Sequence, residues 1–254
     1  MRLAVLADIH GNVDALNAVL ADLDAAGGAD QTWILGDLIA FGPAPVATLD
    51  VIRQLPEDTT KVIQGNTDRY VTTWARPNAE RPTAETWAQH IQFMQQREAN
   101  FTWTAQQISG EDAIYLLGLG TDLDLIVKGY GPVVAFHAGP DDDEMVLLSY
   151  TPEDVILDSL MIREGRLALA GHTHRGMDLQ LEGWRFVNPG SVGLPFDHDQ
   201  RAAYALITFE DGAATVDLRR VAYDVNGVIA ALEASDHPAK DFTIERLRTA
   251  APPK

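Results

Sequence analysis

Short, mostly apolar runs punctuate this chain, and each stops at a glycine or at a side chain suited to holding a metal. Leu3 to Ala7 breaks at Asp8, and Trp33 to Leu35 at Gly36-Asp37. Lys61-Val62-Ile63 precedes Gly65-Asn66, Val133 to Phe136 leads into His137, and Leu167 to Ala170 ends at Gly171-His172. Runs of this length and continuity read as buried strands. After the first, Asn12 is placed to cap a helix whose apolar face is Val13, Leu16, Val19, Leu20 and Leu23, with Gly27-Gly28 ending it. A stiff loop, Phe41-Gly42-Pro43-Ala44-Pro45, precedes a second helix through about Leu55. Strand–helix–strand alternation predicts an α/β fold built on a parallel sheet with helices on both faces. Ligand sites in such folds lie at strand ends, where these polar residues stand.

The stretch from Arg69 to about Leu119 changes character, being rich in Gln and Ala with Trp74, Trp87, Phe93, Phe101 and Trp103 interspersed. It predicts several helices, interrupted near Pro77, Pro82 and Gly110. They form a helical insertion (about 69–119), either a cap over the site or a layer on the sheet. Strands return with Leu123 to Val127. Thr151-Pro152-Glu153-Asp154 reads as a helix start with Thr as cap. Two runs, Ala203 to Glu210 and Ala214 to Val221, flank Asp211-Gly212, a hairpin signal. Asn226-Gly227 lies near the start of a C-terminal helix, and the tail Pro252-Pro253-Lys254 is expected to be disordered. The whole chain, 1–254, reads as a single domain without internal repeats.

Composition narrows the chemistry. Lys plus Arg total 19 against 37 Asp plus Glu, a net charge of −18. That balance disfavours nucleic acid as a partner, since phosphate backbones need a basic footprint. Cysteine is absent, so any metal is held by N and O ligands. The apolar N-terminal run ends at Asp8, too short for a signal peptide, and no run is long enough for a transmembrane helix. The expectation is a soluble, cytoplasmic protein without a membrane partner; its oligomeric state is left open.

Asp8 and His10 stand two apart after a strand, so both reach the same side. Asp37 ends the next strand, and a carboxylate can bridge two ions about 4 Å apart. Asn66 offers an amide oxygen. His172 and His174, two imidazoles in Gly-His-Thr-His, come from a chain with 7 histidines. Taken singly, each fragment has an ordinary reading as a cap, a turn or a loop. Taken in order at successive strand ends, they make a metal centre.

The ordered blocks Asp-x-His, Gly-Asp, Gly-Asn-x-Asp, a lone His and Gly-His-x-His resemble the calcineurin-like metallophosphoesterase superfamily. Gly36 to Pro43 and Asn188-Pro189-Gly190-Ser191-Val192-Gly193 are similar to its compact prokaryotic phosphodiesterase branch. The resemblance covers roughly residues 1 to 210. It implies a four-layer αββα sandwich of mixed sheets. It also implies two divalent ions per chain, Mn²⁺ first, with Fe, Zn, Ni or Co tolerated by the same ligands. Asp8, His10 and His174 would hold one ion and Asn66, His137 and His172 the other, with Asp37 bridging. A bridging water or hydroxide would then attack a small phosphoester, with Asp37, Asn66, Thr67 and Asp68 as the catalytic group. Arg175 and Asn12 are the expected substrate contacts, with Arg69 a further phosphate clamp. Where the family commonly has His after the Asn, to protonate the leaving oxygen, this chain has Thr67, whose hydroxyl can only donate a hydrogen bond. His198 is a substitute acid or an exposed loop residue. The expected activity is hydrolysis of phosphodiesters; the alternatives are a nucleotide pyrophosphatase, a phosphomonoesterase, or a catalytically weak metal-binding scaffold.

Overall fold

The computed structural model describes residues 1–76, 83 and 86–252. The expected breaks at Pro77 and Pro82, and the tail residues Pro253 and Lys254, lie outside the described residues. In chain order the elements are β1 (Arg2–Leu6), α1 (Val13–Ala25), β2 (Gln31–Ile34), α2 (Pro45–Gln54), β3 (Thr60–Val62), α3 (Asn66–Thr73), α4 (Trp87–Gln107) and α5 (Gly110–Leu117). There follow β4 (Asp122–Val127), β5 (Gly131–Phe136), α6 (Glu153–Leu160), β6 (Leu167–Leu169), β7 (Met177–Leu181), β8 (Trp184–Asn188), β9 (Ala202–Glu210), β10 (Ala213–Val221), α7 (Val225–Ala234) and α8 (Lys240–Thr249).

The strands make two five-stranded mixed sheets, ordered β10-β9-β1-β2-β3 and β4-β5-β6-β8-β7. In the first, β1, β2 and β3 run parallel and β9 pairs antiparallel to β1. In the second, β5, β6 and β8 run parallel between antiparallel edge strands. The expected single sheet with helices on both faces is therefore corrected. Alternate residues of β1 serve two different apolar layers. Ala4 and Leu6 face α1 and α2, whereas Leu3 and Val5 pack with Val133, Leu167, Val187 and Ile207 between the two sheets. A third layer, with Phe136, Ala168 and Phe186, seats α6 through Ile156 and Leu160. Because β1 is apolar on both faces, it is buried by a sheet on one side and helices on the other. The result is the four-layer αββα sandwich.

Several local readings change at their ends. Asn12 does cap α1, its side chain accepting from the Ala15 N–H at 3.1 Å. Pro152, not Thr151, stands at the N-cap of α6, while the Thr151 hydroxyl accepts from the Leu148 N–H instead. The C-terminal region is two helices, α7 and α8, which share a core of Val228, Ile229, Leu232, Ile244 and Leu247 with Leu194. The β7–β8 hairpin was not anticipated. Phe101 of α4 and Leu116 of α5 are buried in the helical layer over the first sheet. The start of α4 presents Trp87 and Phe93 to solvent. No helix among the described residues is long and apolar enough to cross a membrane.

Candidate metal centre

The C-terminal ends of β1, β2, β5 and β6 converge, and the loops that leave them are stitched backbone to backbone. The Asp8 N–H donates to the Gly36 carbonyl at 3.1 Å, His10 to Asp37 at 2.9 Å, and Gly11 to Leu38 at 2.8 Å. Gly171 donates to His137 at 2.7 Å. Asp8, His10, Asp37, His172 and His174 all adopt a left-handed backbone, with φ between 51° and 66°. Residues other than Gly seldom hold that conformation, Asn, Asp and His least rarely, and it persists where surrounding structure enforces it. Here the enforcement includes Gly65, because a Cβ there would collide with the Asp37 backbone N and carboxylate. The loop from Asn188 to Leu194 braces the same assembly. Ser191 Oγ donates to the Asp8 carbonyl at 2.7 Å, and Asn188 Nδ2 to the Gly171 carbonyl at 2.6 Å.

Four buried residues, Asp8, His10, Asp37 and His174, offer ligand atoms within 4.8 Å of one another. Three imidazoles share one arrangement. Nδ1 of His10, His137 and His174 faces the carbonyls of Ala40 (3.0 Å), Leu35 (2.6 Å) and Leu194 (2.5 Å). A carbonyl only accepts, so each Nδ1 carries the proton and each Nε2 presents a lone pair. His10 Nε2 and His174 Nε2 nevertheless lie 3.1 Å apart. Two lone pairs at that separation repel, and a cation shared between them removes the conflict. His137 Nε2 meets Asn66 Oδ1 at 2.9 Å, again acceptor against acceptor, and sits 3.5 Å from Asp37 Oδ1. His172 lies beside it, ring centroids 5.2 Å apart. Asp37 thus stands between the two groups, 3.6 Å from His10 through Oδ2 and 3.5 Å from His137 through Oδ1. The donor set and its electrostatics fit divalent ions.

The electrostatics follow from burial. Burial pushes the Asp8 carboxyl well above the usual range, with Asp37's charge adding to it and the His172 N–H opposing. Burial would raise Asp37 too, but the imidazoles of His137, His10 and His172 outweigh it and hold this carboxyl down at about 2. Burial lowers His10 and, more strongly, His174, and brings His172 to about 4. Neutral imidazoles are the form that binds metal.

The remaining expected residues divide. Thr67 is buried beside Asp37, with its N–H on Asp37 Oδ1 at 2.9 Å. Asp68 accepts from the N–H groups of Leu38 (2.9 Å) and Gly65 (3.0 Å), tying α3 to the Asp37 loop. Burial and Asp37 raise its carboxyl to about 7. Asn12 faces the fold rather than a ligand: besides capping α1, its Nδ2 donates to the Gly193 carbonyl and the Tyr223 hydroxyl. Arg69 is clamped by Asp143 and Glu144, each at 2.7 Å, which removes it as a free phosphate clamp. Arg175 is half-buried and has no ion pair among the described residues. His198 is exposed on the loop that joins the Ala250 carbonyl. The sequence reading missed two aromatic walls. Phe196 stacks on His174 (4.2 Å, 12°), and Phe41 meets the His10 ring edge-on at 5.5 Å. Their only signal was adjacency to Pro195 and Gly42-Pro43.

Residues 1–212 match the family model for the calcineurin-like phosphoesterase superfamily domain. An uncharacterised protein of Methanocaldococcus jannaschii is 28% identical over 238 residues, 88% of each chain. A symmetrical bis(5'-nucleosyl)-tetraphosphatase of Vibrio campbellii is 35% identical over 71 residues, covering 28% of this chain and 26% of its own. Among solved structures, a metallophosphoesterase from Sphaerobacter thermophilus superposes with a TM-score of 0.73 at 25% identity, over 99% of both chains. A hypothetical protein from Pyrococcus horikoshii OT3 shares the fold, with a TM-score of 0.82 at 23% identity over 99% of both.

Proposed function

The chain belongs to the calcineurin-like phosphoesterase superfamily, and from that premise we propose that it hydrolyses phosphodiesters with two divalent ions. The observation that carries this reading is the pair of facing lone pairs at His10 and His174, 3.1 Å apart with both Nδ1 atoms committed to carbonyls. Asp8, His10 and His174 would hold one ion and Asn66, His137 and His172 the other, with Asp37 reaching both. Ions so held supply Lewis acidity toward a phosphoryl oxygen and lower the pKa of water. A set of carboxylate, amide and imidazole donors without thiolate suits Mn²⁺, which we place first.

The chain's own residues supply the rest. Asp68 holds the Asp37 loop against α3, which fixes the ligands' separation. Phe41 and Phe196 exclude water from the outer faces of His10 and His174. Arg175, free of carboxylates among the described residues, would bind a phosphate group. The Thr67 hydroxyl would at most donate a hydrogen bond to a departing oxygen and is no proton source near neutral pH. A cytoplasmic setting and a small phosphoester substrate complete the reading.

A second reading, cleavage of dinucleoside polyphosphates, is favoured by the local similarity to the tetraphosphatases. A leaving group that is itself a phosphate needs no protonation, which suits Thr67. The test is metal-dependent turnover of an aryl phosphodiester, an aryl phosphomonoester and a symmetrical dinucleoside tetraphosphate, with Asp37→Asn as control. Fastest turnover of the diester supports the first reading, and fastest turnover of the tetraphosphate the second. No turnover at full metal loading would make the chain a metal-binding scaffold.

A further inference from the structure

At the opposite edge of the sandwich, the N-terminal ends of β5, β6 and β8 surround a cleft of about 370 Å³. The C-terminal ends of β5 and β6 lead to His137 and His172, so this cleft and the metal centre lie at opposite poles of the same strands. Its walls include Arg166, Arg185, Tyr130, Trp184 and Gln180, and no aspartate or glutamate. That is unexpected in a chain where acids outnumber bases 37 to 19.

The two arginines are adjacent, the Arg185 N–H donating to the Arg166 carbonyl at 2.9 Å. Their charges are held differently. Arg185 is committed to Asp178 through two bonds, at 2.6 and 2.7 Å, and to the Ala214 carbonyl. Arg166 has no ion pair among the described residues. Its guanidinium lies 4.7 Å over the Tyr130 ring and donates one bond, from Nη1 to the Tyr130 carbonyl at 2.8 Å. Nε and Nη2 are left for another acceptor. The ring beneath holds the guanidinium in place without neutralising it. A planar fork with two open donors matches a phosphate's oxygens, and a second guanidinium alongside adds field. The cleft is large enough for a small-molecule ligand.

We propose that this cleft is a binding site for a small phosphate-bearing anion, held by Arg166 and assisted by Arg185. The site is independent of the metal centre and of the reaction assigned to it.

The experiment is calorimetric titration of inorganic pyrophosphate into the metal-free full chain. Without its ions, the other pole presents the Asp37 carboxylate, which repels the probe. One saturable site per chain is expected. Arg166→Gln should weaken binding by about tenfold or more, the loss typical of a hydrogen bond to a charged group. Asp178→Asn should tighten it, because Arg185 is then released toward the cleft; a merely structural role for the ion pair predicts no such gain. Thermal melts of both variants confirm that they are folded. Absence of saturation, an affinity unchanged in Arg166→Gln, or binding abolished by Arg175→Gln instead would overturn the proposal.

Discussion

Thr67 donates its backbone N–H to Asp37 Oδ1 at 2.9 Å, yet its own hydroxyl, buried in the same place, meets no partner among the described residues. The two residues are therefore coupled through the main chain, not through the threonine side chain. Replacing the Thr67 side chain by Ala or Val leaves that backbone N–H available to the Asp37 carboxylate.

That coupling predicts unequal costs. Asp37→Asn removes the charge between the two groups of donors and should lower kcat by about a hundredfold or more. Thr67→Ala keeps the N–H and should lower it by less than about tenfold, the loss of a single neutral hydrogen bond. Since a buried hydroxyl without a partner carries a desolvation penalty, Thr67→Val should leave Tm unchanged or raise it. Steady-state kinetics and thermal melts on the three variants check this. Equal losses for Asp37→Asn and Thr67→Ala would mean that the bridging role is misassigned.

Metal content offers a more direct measurement. Protein stripped by a chelator and reloaded with Mn²⁺ should hold two ions per chain, and Asn66→Ala should hold one. Loading relieves the opposed lone pairs at His10 and His174, so it should also raise Tm. Ions at a hundred times their Kd stabilise a fold by about 2.7 kcal/mol when the unfolded chain does not bind them. A stoichiometry that stays at one in the parent protein, untouched by Asn66→Ala, would remove the second ion from the mechanism.

Much of this site was legible because its signals are local. A run such as Val133 to Phe136 can only be buried, and the next residue, His137, must then stand at a sheet edge. The same reasoning placed Asp8, Asp37 and His172. What stayed hidden depends on distant partners. Leu3 and Ala4 are both apolar, so nothing in β1 itself says that one faces a second sheet and the other a helix. The left-handed backbone at His10, His172 and His174 is held by neighbouring loops, since any residue but glycine is uncommon there. Asn12 illustrates the reverse: its capping role was readable, but the Gly193 and Tyr223 contacts that occupy its amide are long-range. The β7–β8 hairpin did leave a trace, the alternation of Met177, Leu179 and Leu181 before Glu182-Gly183, in a run too short to stand out.

His237, which is not one of the proposed metal-binding residues, supplies a further test of pH dependence. It is buried against Trp103, ring centroids 4.4 Å apart, and its Nδ1 accepts from the Ala239 N–H. Its Nε2 therefore carries the proton and has no partner among the described residues. Burial lowers its pKa to about 4, with Asp236 opposing and Lys240 reinforcing. An unfolded histidine titrates near 6.5, so between about 4 and 6.5 the unfolded chain binds the extra proton. The stabilising contribution is present above 6.5 and lost as pH falls to about 4, amounting to roughly 3 kcal/mol. Denaturant unfolding of parent and His237→Gln across that window should give a flatter profile for the variant. Parallel profiles would show that His237 protonates without cost in the fold.

The final prediction concerns the leaving group. Thr67 follows Asn66 and is no proton source near neutral pH, the Asp68 carboxyl is taken up by the Leu38 and Gly65 N–H groups, and His198 is exposed on a different loop. Attack on phosphorus needs no such acid, but expulsion of a poor alkoxide does. The rate should therefore fall steeply as the leaving group's pKa rises, so aryl diesters and phosphate leaving groups should react far faster than alkyl esters. Thr67→His places an imidazole at the start of α3 and should raise turnover of poor leaving groups more than that of good ones. A series of substituted phenyl phosphodiesters, measured with both proteins, separates the cases. A flat series for the parent would mean that protonation comes from elsewhere or that product release limits the rate. A uniform change across the series on Thr67→His would instead locate its effect in binding or metal placement, because only proton donation scales with the basicity of the departing oxygen.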